Sequence, residues 1–237
     1  MSRNIEISIG EFYHLYNRGV EKRKIFLDEN DHLRFLALLY LCNASDLFHL
    51  SDFLQQGLTF QELFDLPRKK SLVDISAYCL MPNHFHLLVR EKGGSGASLF
   101  MQKLSTAYTM YFNKKNARQG SLFEGTFKAK HLDTDKYLKY QLAYIHLNPI
   151  AIIEHGWKEK YIADKDRAQE FLKVYPHSSY FDYLGKPRKQ SVILNKKAYP
   201  LYFDSTSSFE SMISEWVNFE EPKFKTRLNL PKLEWKV

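Results

Sequence analysis

The sequence predicts an α+β fold: an antiparallel sheet with helices on one face, a helical insertion after the first helix and an irregular C-terminal extension. Three observations carry this. Short aromatic and β-branched stretches at 11–17, 73–81, 84–90 and 120–132 read as strands. Longer stretches at 28–42, 98–116 and 135–147 repeat their apolar residues at helical spacing. Their order, strand–helix–strand–strand–helix–strand and then a further helix, is the split βαβ, ferredoxin-like arrangement.

The first strand, Glu11 to Asn17, closes on the turn residues Asn17-Arg18-Gly19. Asp28 or Asn30 then caps a helix whose apolar face is Leu33, Leu36, Ala37, Tyr40 and Leu41. Residues 44–70 read as the insertion, with short helices at 46–56 and 59–66 before the polar break Pro67-Arg68-Lys69-Lys70. Val73 to Met81 is the second strand, and Pro82-Asn83 turns it into the third. The glycine-rich loop from Glu91 to Gly96 lacks the spacing of a phosphate-binding fingerprint and reads as a flexible link. Ser98 caps the next helix, to about Asn116. From Gly120 to Leu132, Phe123, Gly125, Phe127 and Ala129 alternate with Glu124, Thr126, Lys128 and Lys130 as a fourth strand. Asp133 or Thr134 caps the last helix, 135–147, which Pro149 terminates. Residues 1–150 thus form one domain and 151–237 an extension. In it, 175–180 and 182–185 tuck back on the core, and the last stretch, with Trp216, Phe224 and Trp235, packs as a tail.

The chain has 237 residues and a net charge of +7, a balance that favours polyanionic partners. Its two cysteines, Cys42 and Cys79, lie in apolar runs and read as buried thiols of a reducing compartment, too few for a zinc knuckle. Charges interrupt every apolar run before membrane-spanning length, and residues 1–7 lack a signal core, so a cytoplasmic protein with no membrane partner is expected.

Chemistry concentrates in two places. His84 and His86 stand at i and i+2 on the third strand, so both imidazoles point to one face while Phe85 points into the core. Two histidines leave a divalent ion open to a substrate oxygen and a further protein ligand. On the last helix, Tyr144 and Asn148 are one turn apart, a phenol that can act as nucleophile beside an amide oxygen suited to Mg²⁺ or Mn²⁺. Tyr137 and Gln141 repeat the spacing on the same stripe, and helical geometry alone does not choose between the pairs. His146 points off it. A phenol beside a metal that polarises a phosphodiester suits nucleophilic attack on phosphorus. Lys103, Lys114, Lys115, Arg118, Lys128 and Lys130 are candidate phosphate contacts. Between 185 and 203, Lys186, Arg188, Lys189, Lys196 and Lys197 stand without an acid and read as a solvated loop or a DNA-contacting arm, with Arg188 and Lys189 its leading candidates. Tyr108 and Tyr111 offer rings for core packing or base stacking.

Tyr-Asn-Arg-Gly at 16–19, Leu-Met-Pro-Asn-His-Phe-His-Leu-Leu-Val at 80–89, Gly-Ser-Leu-Phe-Glu-Gly at 120–125 and Tyr-Ile-His-Leu-Asn-Pro at 144–149 occur in that order. In these motifs the chain resembles the HUH-type single-tyrosine transposases, and most closely their REP-associated branch, over roughly residues 10 to 185. The resemblance implies a metal-dependent single-stranded DNA endonuclease and strand-transferase acting on hairpin-bearing DNA through a 5′-phosphotyrosine. It implies Tyr144 as nucleophile, His84 and His86 as metal ligands and Asn148 as the residue completing the coordination. The related insertion-sequence branch pairs its tyrosine with a glutamine one turn later, which keeps Tyr137 with Gln141 as a competitor; the 144–149 context favours Tyr144. That branch also swaps the helix between subunits, so a monomer or a homodimer is implied. Two other readings are a non-catalytic hairpin-binding regulator derived from a transposase and a hydrolase that activates water; neither would form a covalent protein–DNA adduct.

Overall fold

The computed structural model describes residues 6–46, 49–157, 161–200, 202 and 205–218. The elements are β1 (Phe12–Arg18), α1 (Glu29–Leu41), α2 (Leu50–Gln55), β2 (Val73–Met81), β3 (His84–Glu91), α3 (Gly96–Lys115), β4 (Lys128–His131) and α4 (Asp135–Leu147). Four further helices follow: α5 (Ile150–Ile153), α6 (Lys165–Val174), α7 (Tyr180–Tyr183) and α8 (Thr206–Val217). The sheet runs β2-β3-β1-β4, every neighbouring pair antiparallel, as the split βαβ order requires. Asp28 caps α1 by accepting from the Asp31 amide, and Thr134 caps α4 by accepting from the Tyr137 amide. No helix among the described residues is long and apolar enough to cross a membrane.

The crossover helices α1 and α3 share one face of the sheet, as the arrangement predicts, whereas α4 covers the other. Phe85, Leu87 and Val89 of β3 pack with Leu15, Phe35 of α1 and Phe100, Leu104 and Tyr108 of α3. Ala77, Cys79, Met81 and Leu88 point the other way and pack with Leu138, Leu142 and Ile145 of α4. A bulge at Ser76 re-aims β2, so Val73 and Ile75 share a face with Tyr78 and Leu80. β2 is buried throughout, the mark of a strand covered on both faces. α4 is itself buried on nearly all sides, because Ala143 and Leu147 also meet Leu172, Tyr180, Phe209 and Ile213 of α6, α7 and α8.

Three local readings need correction. Ser98 lies inside α3, whose N-cap is Ser95 without a side-chain bond. The orphan amides there are taken by the buried Glu91 carboxylate, which accepts from Gly93, Gly96 and Ala97. The glycine-rich stretch is therefore built around Glu91, and a Cβ on Gly96 would lie 2.2 Å from the Leu72 carbonyl oxygen. The fourth strand is only Lys128–His131; residues before it turn through Gly125. Of the insertion's helices, the first is α2 and the second a short 3₁₀ turn, Glu62–Asp65. Trp216 packs against Tyr140, while Phe224 and Trp235 lie outside the described residues.

Candidate active site on the α4 face

Strand register assembles this face. β1 lies against β3 with Tyr16 opposite His86 and Arg18 opposite His84, and against β4 with Tyr16 opposite Lys128 and His14 opposite Lys130. Directly opposed side chains share a face, so His14, Tyr16, His84, His86, Lys128 and Lys130 all stand on the side that α4 covers. Gly19 fixes the end of β1: its amide donates to the Asn83 carbonyl at 2.8 Å, and a Cβ there would lie 2.4 Å from the Arg23 carbonyl oxygen.

His84 and His86 stand edge to face, ring centroids 4.8 Å apart. Nδ1 of His84 is 2.6 Å from Oδ1 of Asn83. Nδ1 of His86 is 2.9 Å from Nε2 of His14, a buried contact between adjacent strands. Tyr144 places its ring edge-on to both, 5.7 Å from His86 and 6.3 Å from His14. The phenol is 3% exposed, and burial drives its pKa well above the ordinary tyrosine value; the adjacent Tyr140 adds to this, and a hydrogen bond with the Asn148 side chain works against it. Asn148 is buried and donates from Nδ2 to the Tyr144 carbonyl at 2.7 Å, locking the end of α4.

The helical stripe is as the spacing predicts: Tyr137, Gln141, Tyr144 and Asn148 are all buried. Tyr137 stacks on Tyr140 and lies under Lys130 Nζ, 4.9 Å from its ring centre. The fully buried Gln141 amide has no hydrogen-bond partner among the described residues, a costly state for a group that can bond on both sides. Two imidazoles on one strand face, with amides on the helix above, form a donor set that fits a divalent ion. His146 points away: it is buried, bonds Ser179 Oγ at 2.8 Å and packs on Tyr183 and Phe209.

The candidate phosphate contacts divide sharply. Lys128 and Lys130 border the site, Lys128 with its Nζ 6.0 Å from the centre of the Tyr16 ring. The α3 group lies on the far face. There Lys103 donates to the Ala44 and Asp46 carbonyls, Lys115 pairs with Asp28 and Asp31, and Arg118 bonds Asn113 and Ser121, while Lys114 is exposed. Arg188 is tied into the fold: its guanidinium pairs with buried Asp182 and donates to Tyr78 Oη and the Pro176 and Ser178 carbonyls. Lys189 pairs with Asp65. Tyr108 and Tyr111 hydrogen-bond the Ile25 carbonyl and Asp31 and take part in the α1–α3 packing. Reading along the chain missed His14; an imidazole at alternating spacing with Tyr16 in β1 was its one signal.

Residues 55–148 match the family described as transposase, IS200-like. In that segment the chain resembles an IS200-like transposase. The IS200-like match spans β2, β3, α3, β4 and α4, ends on Asn148 and includes His84, His86 and Tyr144. Among solved structures the chain is similar to a REP-associated tyrosine transposase bound to a REP hairpin, at 13% identity and a TM-score of 0.48 over 86% of this chain and 92% of that one. No curated protein matches.

Proposed function

We propose that the protein is a single-stranded DNA endonuclease and strand-transferase of the transposase type, with Tyr144 as nucleophile. The observation that carries this is the Tyr144 ring standing against His86, on the face His84 shares. Supporting it are the IS200-like match across these residues and the motif order of the chain.

In this reading His84 and His86 hold a divalent ion, Mg²⁺ or Mn²⁺, with Asn148 completing the set. When bound, the ion supplies charge stabilisation at the phosphate oxygens and orients the scissile bond. With Nδ1 of His86 held by His14, Nε2 would be the nitrogen that holds the ion. Tyr144 Oη attacks the phosphorus, the P–O3′ bond breaks, the phenolic proton leaves Oη and the departing oxygen ends as a 3′-hydroxyl. The strand's 5′-phosphate stays on Tyr144. The phosphodiester energy is kept in that ester, so a 3′-hydroxyl attacking it reverses the step and joins strands. Burial holds the free phenol protonated at neutral pH, so attack requires that proton to be withdrawn as the phosphate arrives. Lys128 and Lys130 are placed to receive the DNA backbone beside the site. Tyr144 faces the histidines of its own chain, which supports a monomer acting in cis.

The test is a covalent adduct. Single-stranded oligonucleotides carrying hairpins from the DNA flanking the coding sequence, labelled at the 3′ end, are incubated with the protein and Mn²⁺. A band that survives denaturation and is lost in Tyr144→Phe is the expected result. Hairpin binding without an adduct would favour the regulator, and cleavage without one the hydrolase.

A further inference from the structure

Two segments far apart in the chain meet at one side chain, Asn83. Its Nδ2 donates to the Lys22 carbonyl at 3.2 Å, across 61 positions, and its Oδ1 is 2.6 Å from Nδ1 of the next residue, His84. Its backbone carbonyl accepts from the Gly19 amide at 2.8 Å. The chain leaving Tyr-Asn-Arg-Gly therefore grips the Pro82-Asn83 turn by backbone and side chain together.

These contacts fix where the proton of a neutral His84 sits. A carbonyl oxygen only accepts, so the amide atom facing Lys22 is the nitrogen and the atom facing His84 is the oxygen. An amide oxygen also only accepts, so Nδ1 of His84 carries the hydrogen and Nε2 the lone pair. The contact between His14 and His86 carries no such constraint by itself, since either imidazole there could donate.

The Lys22 carbonyl is held in place by an unusual backbone. Glu21 and Lys22 both take left-handed φ, 56° and 58°, which residues with a Cβ seldom adopt. The turn is pinned by the Lys22 amide donating to the Gly19 carbonyl and the Val20 amide donating to the Leu122 carbonyl, each at 2.9 Å. Such strain persists only where the surroundings over-determine it, and here it aims the Lys22 carbonyl at Asn83.

We propose that Asn83 is a positioning residue of the α4-face site: it holds His84 in the Nδ1–H tautomer and so presents Nε2 to a divalent ion, with the Glu21–Lys22 turn setting the orientation of its amide. This rests on the reading of His84 and His86 as metal ligands. With Nδ1 of His86 against His14, both histidines then offer the same nitrogen. Asn83 acts through His84, as the outer partner of a ligating imidazole does.

The experiment is long-range proton–nitrogen NMR of the metal-free full chain at mildly alkaline pH, where a neutral imidazole reports which nitrogen carries the hydrogen. Mn²⁺ affinity is measured alongside by electron paramagnetic resonance. Wild type should show His84 as Nδ1–H. Asn83→Ala should admit the Nε2–H form of His84, leave His86 unchanged and weaken Mn²⁺ roughly 10–100-fold. Asn83→Asp, whose carboxylate still accepts from Nδ1, should keep the wild-type tautomer and recover most of the affinity. A residue that only braced the turn would lower the melting temperature of both variants without moving the tautomer. That outcome, or His84 found as Nε2–H in wild type, overturns the proposal. A tautomer set by Asn83 in a protein that binds no Mn²⁺ would instead sink the metal-ligand reading of His84 and His86.

Discussion

His14 Nε2 lies 2.9 Å from His86 Nδ1, buried between adjacent strands and 72 positions apart in the chain. For His86 to present the Nε2 lone pair, its Nδ1–H donates to His14, so His14 sets both tautomer and ring angle. His14→Ala should therefore weaken Mn²⁺ at the His84–His86 site roughly 10–100-fold. His14→Gln, which still accepts that hydrogen, should recover part of the loss. Mn²⁺ titration followed by electron paramagnetic resonance reads the affinity, and an unchanged value for His14→Ala would remove His14 from the site.

Tyr144→Phe deletes one oxygen and keeps the ring's edge-to-face contacts with His14 and His86. It should abolish the covalent adduct while hairpin DNA affinity stays within about threefold, since RT ln 3 is only about 0.6 kcal/mol. Tyr137→Phe should still form the adduct. The reverse pattern would transfer the nucleophile to Tyr137 and the amide role to Gln141, whose unsatisfied buried amide already suits a ligand. Asn148→Ala and Gln141→Ala compared for Mn²⁺ affinity decide which amide completes the site.

β3 separates function from stability by parity. Phe85 is fully buried between Phe35 and Phe123, so Phe85→Ala should cost about 3–5 kcal/mol as a large-to-small core change. His84 is partly exposed beside the hairpin turn, so His84→Ala should remove activity with little change in unfolding free energy. Denaturant melts of the two variants measure the contrast, and equal losses would sink it.

How far the sequence foretells this arrangement depends on whether a signal is local. β2 has its expected bounds, and Asp28 and Thr134 cap where short polar side chains precede apolar periodicity. The stripe from Tyr137 to Asn148 is set by helical geometry alone. What escapes is what only strand pairing or chain return decides. The approach of His14 to His86 needs the β1–β3 register, and the capping role of Glu91 needs the α3 terminus folded back over it. The face taken by α4 follows from apolar residues at both parities of β2, a pattern visible in Ala77, Cys79 and Met81 beside Tyr78 and Leu80, which the expectation of helices on one face does not use. Arg188 looked like a free cation because Asp182 and Tyr78 meet it only after the chain folds back on β2.

His146 ties stability to pH. Its burial among Tyr180, Tyr183 and Phe209 lowers its pKa to about 3 in the folded chain, against about 6.5 unfolded. The unfolded state binds the proton more readily, so the stabilisation is complete above pH 6.5 and is lost as pH falls toward 3. Urea unfolding across that window should show wild type losing up to about 1.4 kcal/mol per pH unit more than His146→Phe. Parallel pH profiles would mean His146 is not held neutral.

The salt dependence of DNA binding should follow the face on which each cation stands. Lys128 and Lys130 flank the histidines on β4, whereas Lys103 and Lys115 are tied to carbonyls and carboxylates on the α3 side. Each lysine on a phosphate contributes roughly 0.7 to the slope of log affinity against log salt for single strands. Replacing Lys128 and Lys130 together with alanine should flatten that slope by about 1.4. Arg188→Ala should leave the slope alone and destabilise the fold by about 3–5 kcal/mol, because it strands the buried Asp182 carboxylate. Hairpin-DNA titrations from low to moderate salt, paired with melts, measure both. A slope that falls with Arg188 and not with the β4 lysines would move the DNA off the α4 face and onto the C-terminal segment.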